Sequence, residues 1–320
     1  MLKTSPQSPP KRVFVHLDAA GAYMGNGGFL TLSQIANRLA NMGYTVSVFD
    51  TNDALTSAQW DWCDLGHIWF DIARWGEVID PASDAVILTS WLANSLDHFK
   101  ANPGLITRMR YWCHDELLRK AYGASREFII YNPIPVAVTN RHWCRHYQRY
   151  GIRVNMILPL WVRDIFTPQP GDPPVESREQ VLGFQMDVNG DKVTRKLWQA
   201  GISPLLCHGT QREVAAKMKQ CRFFLQWNEF KDLIEPGEGW GLSAYEAAQA
   251  GCIPLVRKHP GNAGMPDAFR FDDLADAVAM INAPRGDMEV LKRMAASVVT
   301  DMTWTSHHEV MWRRFIEGEL

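Results

Sequence analysis

The sequence predicts an α/β protein made of two doubly wound domains that face one another across a cleft. Three observations carry this reading. Short β-branched runs alternate with helical periodicity in both halves of the chain. A proline-rich tract, Thr167–Val175 (T-P-Q-P-G-D-P-P-V), separates the halves. The 320 residues, 46% of them hydrophobic, are enough for two cores of ordinary size.

In chain order, Arg12–Leu17 (R-V-F-V-H-L) is an apolar β-branched run and the expected first strand. Asp18–Gly28 follows with four glycines. Phe29–Met42 has helical periodicity, with Leu32, Ile35, Ala36, Leu39 and Ala40 on one face; Gly43 caps it, and Thr45–Phe49 is the second strand. Asp84–Ser90 is another buried strand, with a helix expected from about Trp91 to Lys100. Met109–Cys113 is a strand with His114 and Asp115 at its carboxyl end, where open α/β sheets bind ligands. Val136–Thr139 reads as a strand, Asn140–Tyr150 as a helix, and Val154–Pro159 as a further apolar run. Beyond the linker, strands are expected at Gln180–Phe184, Leu205–Gly209, Phe223–Trp227 and Ile253–Val256. Helices are expected at Arg212–Gln220, Leu242–Ala250, Asp272–Ile281, Met288–Val299 and Trp304–Ile316.

Composition excludes several classes. The formal charge of −2 gives no broad basic field, which argues against nucleic acid as a partner. No apolar run approaches the length of a membrane span. The start, M-L-K-T-S-P-Q-S-P-P-K-R, lacks the apolar stretch of a signal peptide, and residues 1–11 read as a disordered tail. The six cysteines are scattered with no C-x-x-C pair, so a reducing cytoplasm is the expected location and neither disulfides nor zinc are expected.

The most informative stretch is Glu238–Val256, E-G-W-G-L-S-A-Y-E-A-A-Q-A-G-C-I-P-L-V. An unbroken helix would turn roughly 800° over the eight positions from Glu238 to Glu246 and would not stack the two acids. The glycines place Glu238 in a tight loop instead. Gly241 and Leu242 open a helix, and Glu246 projects one turn in. The free N–H groups of that helix start suit a phosphate. Gly251 ends the helix, and Cys252–Val256 reads as a buried parallel strand.

This segment resembles the E-x7-E signature of retaining, family-four-like glycosyltransferases of the GT-B fold, E-G-F-G-L-x-x-x-E-A-M-A-x-G-x-P-V-V. Glu238, Gly239, Gly241, Leu242, Glu246, Ala247, Gly251 and Pro254 fall on the pattern. The pair Gly27-Gly28 resembles the family's amino-terminal glycine-rich loop, and His114-Asp115 its V-x-H-D element. Val136–Thr139 and the segment Asn155–Phe166 resemble further family elements, with Val162 and Phe166 in place and Trp161 standing where glycine is usual.

The resemblance implies two Rossmann-like domains: 1–168 binding the acceptor, 169–302 binding a nucleotide-sugar, and 303–320 as a terminal helix crossing back to the first. It implies that Glu246 binds the ribose hydroxyls and that Glu238 and His114 lie at the donor sugar as catalytic residues. The N–H groups around Gly241, Leu242 and Ser243 would hold the phosphate or sugar. A family pattern G-R-x-x-x-x-K-G clamps the diphosphate, but this chain reads G-F-Q-M-D-V-N-G-D-K, so Phe184 replaces the arginine and the nearest cations are Lys192 and Lys196. Gly27 and Gly28 complete the expected donor set. No D-x-D element is present, so no metal or other cofactor is expected. The implied partners are a nucleotide-sugar and a glycan or other hydroxyl acceptor. The alternatives are a sugar-nucleotide epimerase or phosphorylase of the same fold, a non-catalytic nucleotide- or glycan-binding protein and, for the acceptor, a modified base in DNA.

Overall fold

The computed structural model describes residues 11–17, 27–56, 71–92, 94–113, 123–184, 190–227, 241–258, 262 and 264–320. The first half runs β1 (Arg12–His16), α1 (Gly27–Asn41), β2 (Thr45–Phe49), β3 (Asp71–Ile72), α2 (Trp75–Val78), β4 (Val86–Thr89) and α3 (Leu96–Ala101). It continues with β5 (Met109–Cys113), α4 (Gly123–Tyr131), β6 (Val136–Val138), α5 (Arg141–Arg149) and β7 (Met156–Ile157). The second half runs β8 (Gln180–Phe184), α6 (Gly190–Gln199), β9 (Leu205–Leu206), α7 (Gln211–Met218), β10 (Cys221–Gln226) and α8 (Leu242–Gln249). It closes with β11 (Ile253–Arg257), β12 (Arg270–Phe271), α9 (Leu274–Asn282), α10 (Met288–Val299) and α11 (Ser306–Glu317).

The strands form two sheets, ordered β3-β2-β1-β4-β5-β6-β7 and β12-β11-β10-β8-β9. Every recorded pairing is parallel. Both orders reverse direction once, between β1 and β4 in the first sheet and between β8 and β10 in the second, the arrangement of doubly wound folds. The central strands are covered on both faces: β1, β4, β5 and β10 are almost wholly buried, which is why they read as unbroken apolar runs.

Where the sequence reading and the structure differ, the reason is local. All four edge strands (β3, β7, β9 and β12) are two residues long. Short edges limit pairing with other chains, and two residues carry no periodicity; β3 and β12 escape the sequence reading, and Val154–Pro159 and Leu205–Gly209 shrink to pairs. Helices α2 and α4 are also unanticipated. Helix α3 begins at Leu96, after a turn at Asn94 and Ser95 in which Ser95 N donates to Leu92 O at 3.3 Å. Gly27 and Gly28 form the first turn of α1 instead of a loop before it. A first-turn residue has no intrahelical N–H partner to lose, so glycine is tolerated there.

Side-chain caps fix other boundaries. Asn140 Oδ1 accepts from Trp143 N at 2.9 Å at the start of α5, Thr210 and Glu213 form a reciprocal box on α7, and Asp273 Oδ1 accepts from Asp276 N at 2.9 Å on α9.

Helix α11 lies against the first sheet. Arg110 Nε donates to Phe315 O at 3.0 Å, and Tyr44 Oη donates to Glu317 Oε1 at 2.8 Å. Trp312 is fully buried with its ring edge-on to Trp112, centroids 4.7 Å apart. The tryptophan at 161, where the resemblance expects glycine, is explained here: it stacks parallel to Trp112 at 6.5 Å and meets Trp304 edge-on at 4.6 Å. An aromatic block thus joins the end of the first half to the last helix.

Candidate functional site

In the second sheet the order reverses between β8 and β10, and in open α/β sheets such a reversal point, at the carboxyl ends of the strands, is where ligands bind. Phe184 closes β8 and Gln226 closes β10. Helix α8 starts beside them. Its N-cap, Gly241, has no side chain to offer its first-turn N–H groups, and among the described residues no acceptor meets the N–H of Leu242 or Ser243. The amino end of α8 therefore presents donors and the positive end of the helix dipole, a setting for an anion.

Glycine is required at 241 by close approach. A Cβ there would collide with the side-chain amides of Gln226 and Asn262. Those amides are linked: Asn262 Nδ2 donates to Gln226 Oε1 at 3.4 Å and to Arg257 O at 3.1 Å, and Gln226 Nε2 donates to Ser243 Oγ at 3.4 Å. Gly241→Ala is expected to lower stability by about 1–3 kcal/mol through this overpacking. Urea unfolding measures it, and an unshifted midpoint would show that the amides move aside freely.

Glu246 lies just past the first turn of α8, 8% exposed, and among the described residues its carboxylate makes no hydrogen bond. Burial pushes its carboxyl up to about 7, against the opposing pull of the Arg163 charge. Arg163 belongs to the segment between the two sheets, and its Nη2 donates to Gln211 Oε1 at 2.7 Å at the start of α7. One turn beyond Glu246, Gln249 Nε2 donates to Thr167 Oγ1 at 2.7 Å, which ties this face of α8 to the same segment.

The first sheet has a counterpart at its own reversal point. His16 ends β1 and Thr89 ends β4, and His16 Nδ1 lies 2.9 Å from Thr89 Oγ1. The Thr89 hydroxyl gives its single proton to Trp91 O at 2.9 Å, so the shared proton of the pair belongs to His16 Nδ1. His16 is fully buried, its ring 5.0 Å from that of Phe49 and 5.5 Å from that of Phe99. Burial lowers its pKa to about 4, opposed by the charge of Asp50 and a hydrogen bond to the Trp91 backbone.

No family model and no curated protein matches the chain. Solved structures do, over almost its full length. HepE from Anabaena, in complex with UDP and glucose, aligns with a TM-score of 0.73 at 11% identity, covering 96% of this chain and 100% of that one. Sucrose-phosphate synthase from Thermosynechococcus elongatus aligns with a TM-score of 0.66 at 10% identity, covering 97% and 99%. The fold is GT-B. The catalytic domain of starch synthase IV from Arabidopsis thaliana, bound to ADP and acarbose, aligns with a TM-score of 0.59 at 12% identity, covering 97% and 100%.

Within this GT-B frame the site residues expected from the sequence divide. Gly241, Leu242, Ser243 and Glu246 come together on α8. Glu238 and His114 lie outside the described residues. Gly27 and Gly28 open α1, the first helix after β1. Lys192 and Lys196 are exposed, one turn apart on α6, whose buried face is Val193, Thr194 and Leu197. Phe184, at the position where the resembled pattern has arginine, is fully buried in the core and presents no polar group. Of the first-half arginines, Arg110 is committed to Phe315 O and Met109 O. Sequence reasoning missed Gln226 and Asn262; Arg163, which it offered with Arg110 as a first-domain cation should Lys192 and Lys196 not serve, donates to Gln211 at the start of α7. The signal for Gln226 was present: a polar residue closing the apolar run F-F-L-Q. Among the described residues no group of three or more His, Cys, Asp or Glu is placed to hold a metal ion, and no helix is long and apolar enough to cross a membrane.

Proposed function

We propose that the protein is a retaining glycosyltransferase that moves a sugar from a nucleotide-sugar to an acceptor hydroxyl without a metal. The observation that carries this is the pairing, on α8, of an amino end without a side-chain cap from Gly241 with a buried Glu246 one turn in that makes no hydrogen bond among the described residues. The amino end suits the diphosphate, and Glu246 suits the two hydroxyls of a ribose. That similar folds hold UDP with glucose, or ADP with acarbose, supports the same ligand class here. The units in this reading are 1–168 for the acceptor, 169–302 for the donor, and 303–320 as the returning helix; the cytoplasm is the proposed location.

In this mechanism the departing diphosphate is stabilised by the fixed N–H groups and dipole of α8, which act where negative charge develops. A leaving phosphate oxygen takes the acceptor proton as the new bond forms on the face the diphosphate leaves. Glu238 and His114 orient the donor sugar in this proposal, and Lys192 or Lys196 supplies a cation. The alternatives remain an epimerase or phosphorylase of the same fold and a non-catalytic binding protein.

Thermal shift against a panel of UDP-, ADP- and GDP-sugars should find a stabilising donor, because a ligand that binds only the folded state raises its stability. Glu246→Ala should then weaken nucleoside diphosphate binding by about 1.5–3 kcal/mol, the cost of losing hydrogen bonds to a charged group. Calorimetry on the folded variant is the check, and unchanged affinity would remove the assignment. Slow donor hydrolysis that persists in excess chelator is expected; activity restored only by a divalent cation would overturn metal independence. An epimeric nucleotide-sugar as product would favour the epimerase, and binding without turnover the non-catalytic reading.

A further inference from the structure

We propose that the outward face of α5 is a docking surface for an acidic glycan, whose carboxylate or sulfate groups meet a row of arginines. The inference deepens the transferase reading by naming the charge of the acceptor, and it rests on that reading for the acceptor role.

Helical spacing builds the row. Trp143, His146 and Tyr147 form the buried face of α5. Arg141, Arg145 and Arg149 lie on the opposite, exposed face. They stand four residues apart, about 6 Å per step along the axis. Arg153, also exposed, follows just after the helix. Among the described residues none of these four guanidinium groups has a hydrogen bond or an ion pair. The sequence keeps acids away from them: no Asp or Glu occurs between Glu127 and Asp164. Other helices neutralise their cations, as Lys292 pairs with Glu289 within α10 and Arg313 with Glu317 within α11. On α5 like charges four apart repel one another, and Arg141, in the first turn, opposes the helix dipole. The row therefore costs α5 stability with no compensating ion pair in the fold, which points to an anionic partner outside it.

Chemistry and position narrow the partner. A guanidinium meets a carboxylate or sulfate with two parallel N–H donors. A straight row of them suits a chain that carries such groups at intervals. A bilayer is less well matched, because α5 turns its apolar face into the core. A Cβ on Gly151 would lie 3.9 Å from Ile130 Cδ1, so α4 ends beside the end of α5. There Tyr131, 82% exposed, alone among the exposed large hydrophobic side chains of the described residues belongs to α4, α5 or their connections. Duplex nucleic acid presents a broad field of phosphates, and the net charge of −2 gives this chain no field to match it. β6 runs into α5 through Asn140, so the amino end of α5 stands at the carboxyl edge of the first sheet. Open α/β sheets hold ligands at that edge, and a chain laid along the row reaches it at Arg141.

The test is binding of fluorescein-labelled polygalacturonate and dextran sulfate, followed by anisotropy, with unsulfated dextran as the neutral control. Wild type should bind at least one acidic polymer and not dextran, and the affinity should fall as salt rises. The triple variant Arg141→Gln, Arg145→Gln, Arg149→Gln should bind ten-fold or more weakly. Arg145→Gln alone should lose several-fold, and Arg145→Lys should keep part of that. Arg293→Gln, which removes one exposed charge from α10, should bind as wild type does. The triple variant should melt no lower than wild type and be stabilised equally by the nucleotide-sugar donor, which separates docking from folding and from α8. Absence of binding to either acidic polymer overturns the inference, and so does a triple variant that binds as wild type does. An equal loss in Arg293→Gln and Arg145→Gln overturns it by making net charge the cause. Tighter binding to phosphatidylglycerol vesicles or to a single-stranded oligonucleotide than to either polymer overturns it by assigning the surface to a bilayer or to nucleic acid. If the acidic polymer binds through α5 but no nucleotide-sugar stabilises the protein, the transferase reading fails and the docking surface stands.

Discussion

Trp312→Ala should cost about 3–5 kcal/mol of stability, the range for removing a large aromatic side chain from a packed core. Trp312 is fully buried, edge-on to Trp112 at 4.7 Å and close to Phe315 at 6.2 Å. It is the central contact between α11 and the first sheet, and Trp161 extends the block on the other side of Trp112. Its indole N–H is buried with no acceptor among the described residues, so Trp312→Phe removes an unmet donor along with some volume. That variant should lose far less, about 1 kcal/mol. Urea unfolding of the two variants separates volume from polarity. If Trp312→Ala unfolds at the wild-type midpoint, α11 is not part of the core.

The second large effect is acid destabilisation centred on His16. The unfolded imidazole titrates at the ordinary 6.5, and burial lowers the folded value to about 4. The folded state therefore holds the neutral ring and the unfolded state binds the proton first. Above pH 6.5 neither state is protonated and nothing is lost. As pH falls from 6.5 to 4 the unfolded state gains protons that the native state refuses, and stability declines. Below 4 the loss levels off at on the order of 3 kcal/mol, the free-energy equivalent of the shift. His16→Gln, which keeps a donor for Thr89, should flatten stability between pH 4 and 6.5 at some fixed cost at pH 8. Parallel curves for the variant and wild type would place the acid sensitivity elsewhere.

The central strands and α8 were legible in the sequence because their constraints are local. A strand buried on both faces is an apolar run, and a helix that opens on Gly241 and ends at Gly251 (φ +83) shows its glycines. The edge strands were not legible, since two-residue strands are defined by their neighbours alone. The site divides along the same line. Leu242, Ser243 and Glu246 sit on one short helix and could be read as a unit. Gln226 and Asn262 reach that helix only through the fold, Gln226 from the end of β10 by way of Ser243 Oγ. Phe184 was visible as a departure from the family pattern, but its cause is tertiary. It ends β8, between β9 and β10 in the sheet, and is itself fully buried, so a charged side chain there would face the core.

The docking of α11 also sets an order of events. Arg110 closes on Phe315 across 205 residues of chain, and Tyr44 closes on Glu317 across 273. During synthesis from the amino terminus the first sheet is complete long before these partners leave the ribosome. Until then Trp112 lacks the edge-on packing of Trp312, and the Arg110 guanidinium lacks its Phe315 acceptor. Contacts of such sequence separation form late and slowly. The first half of this protein therefore waits, with Trp112 and Trp161 short of their last partners, for the final helix to complete the block.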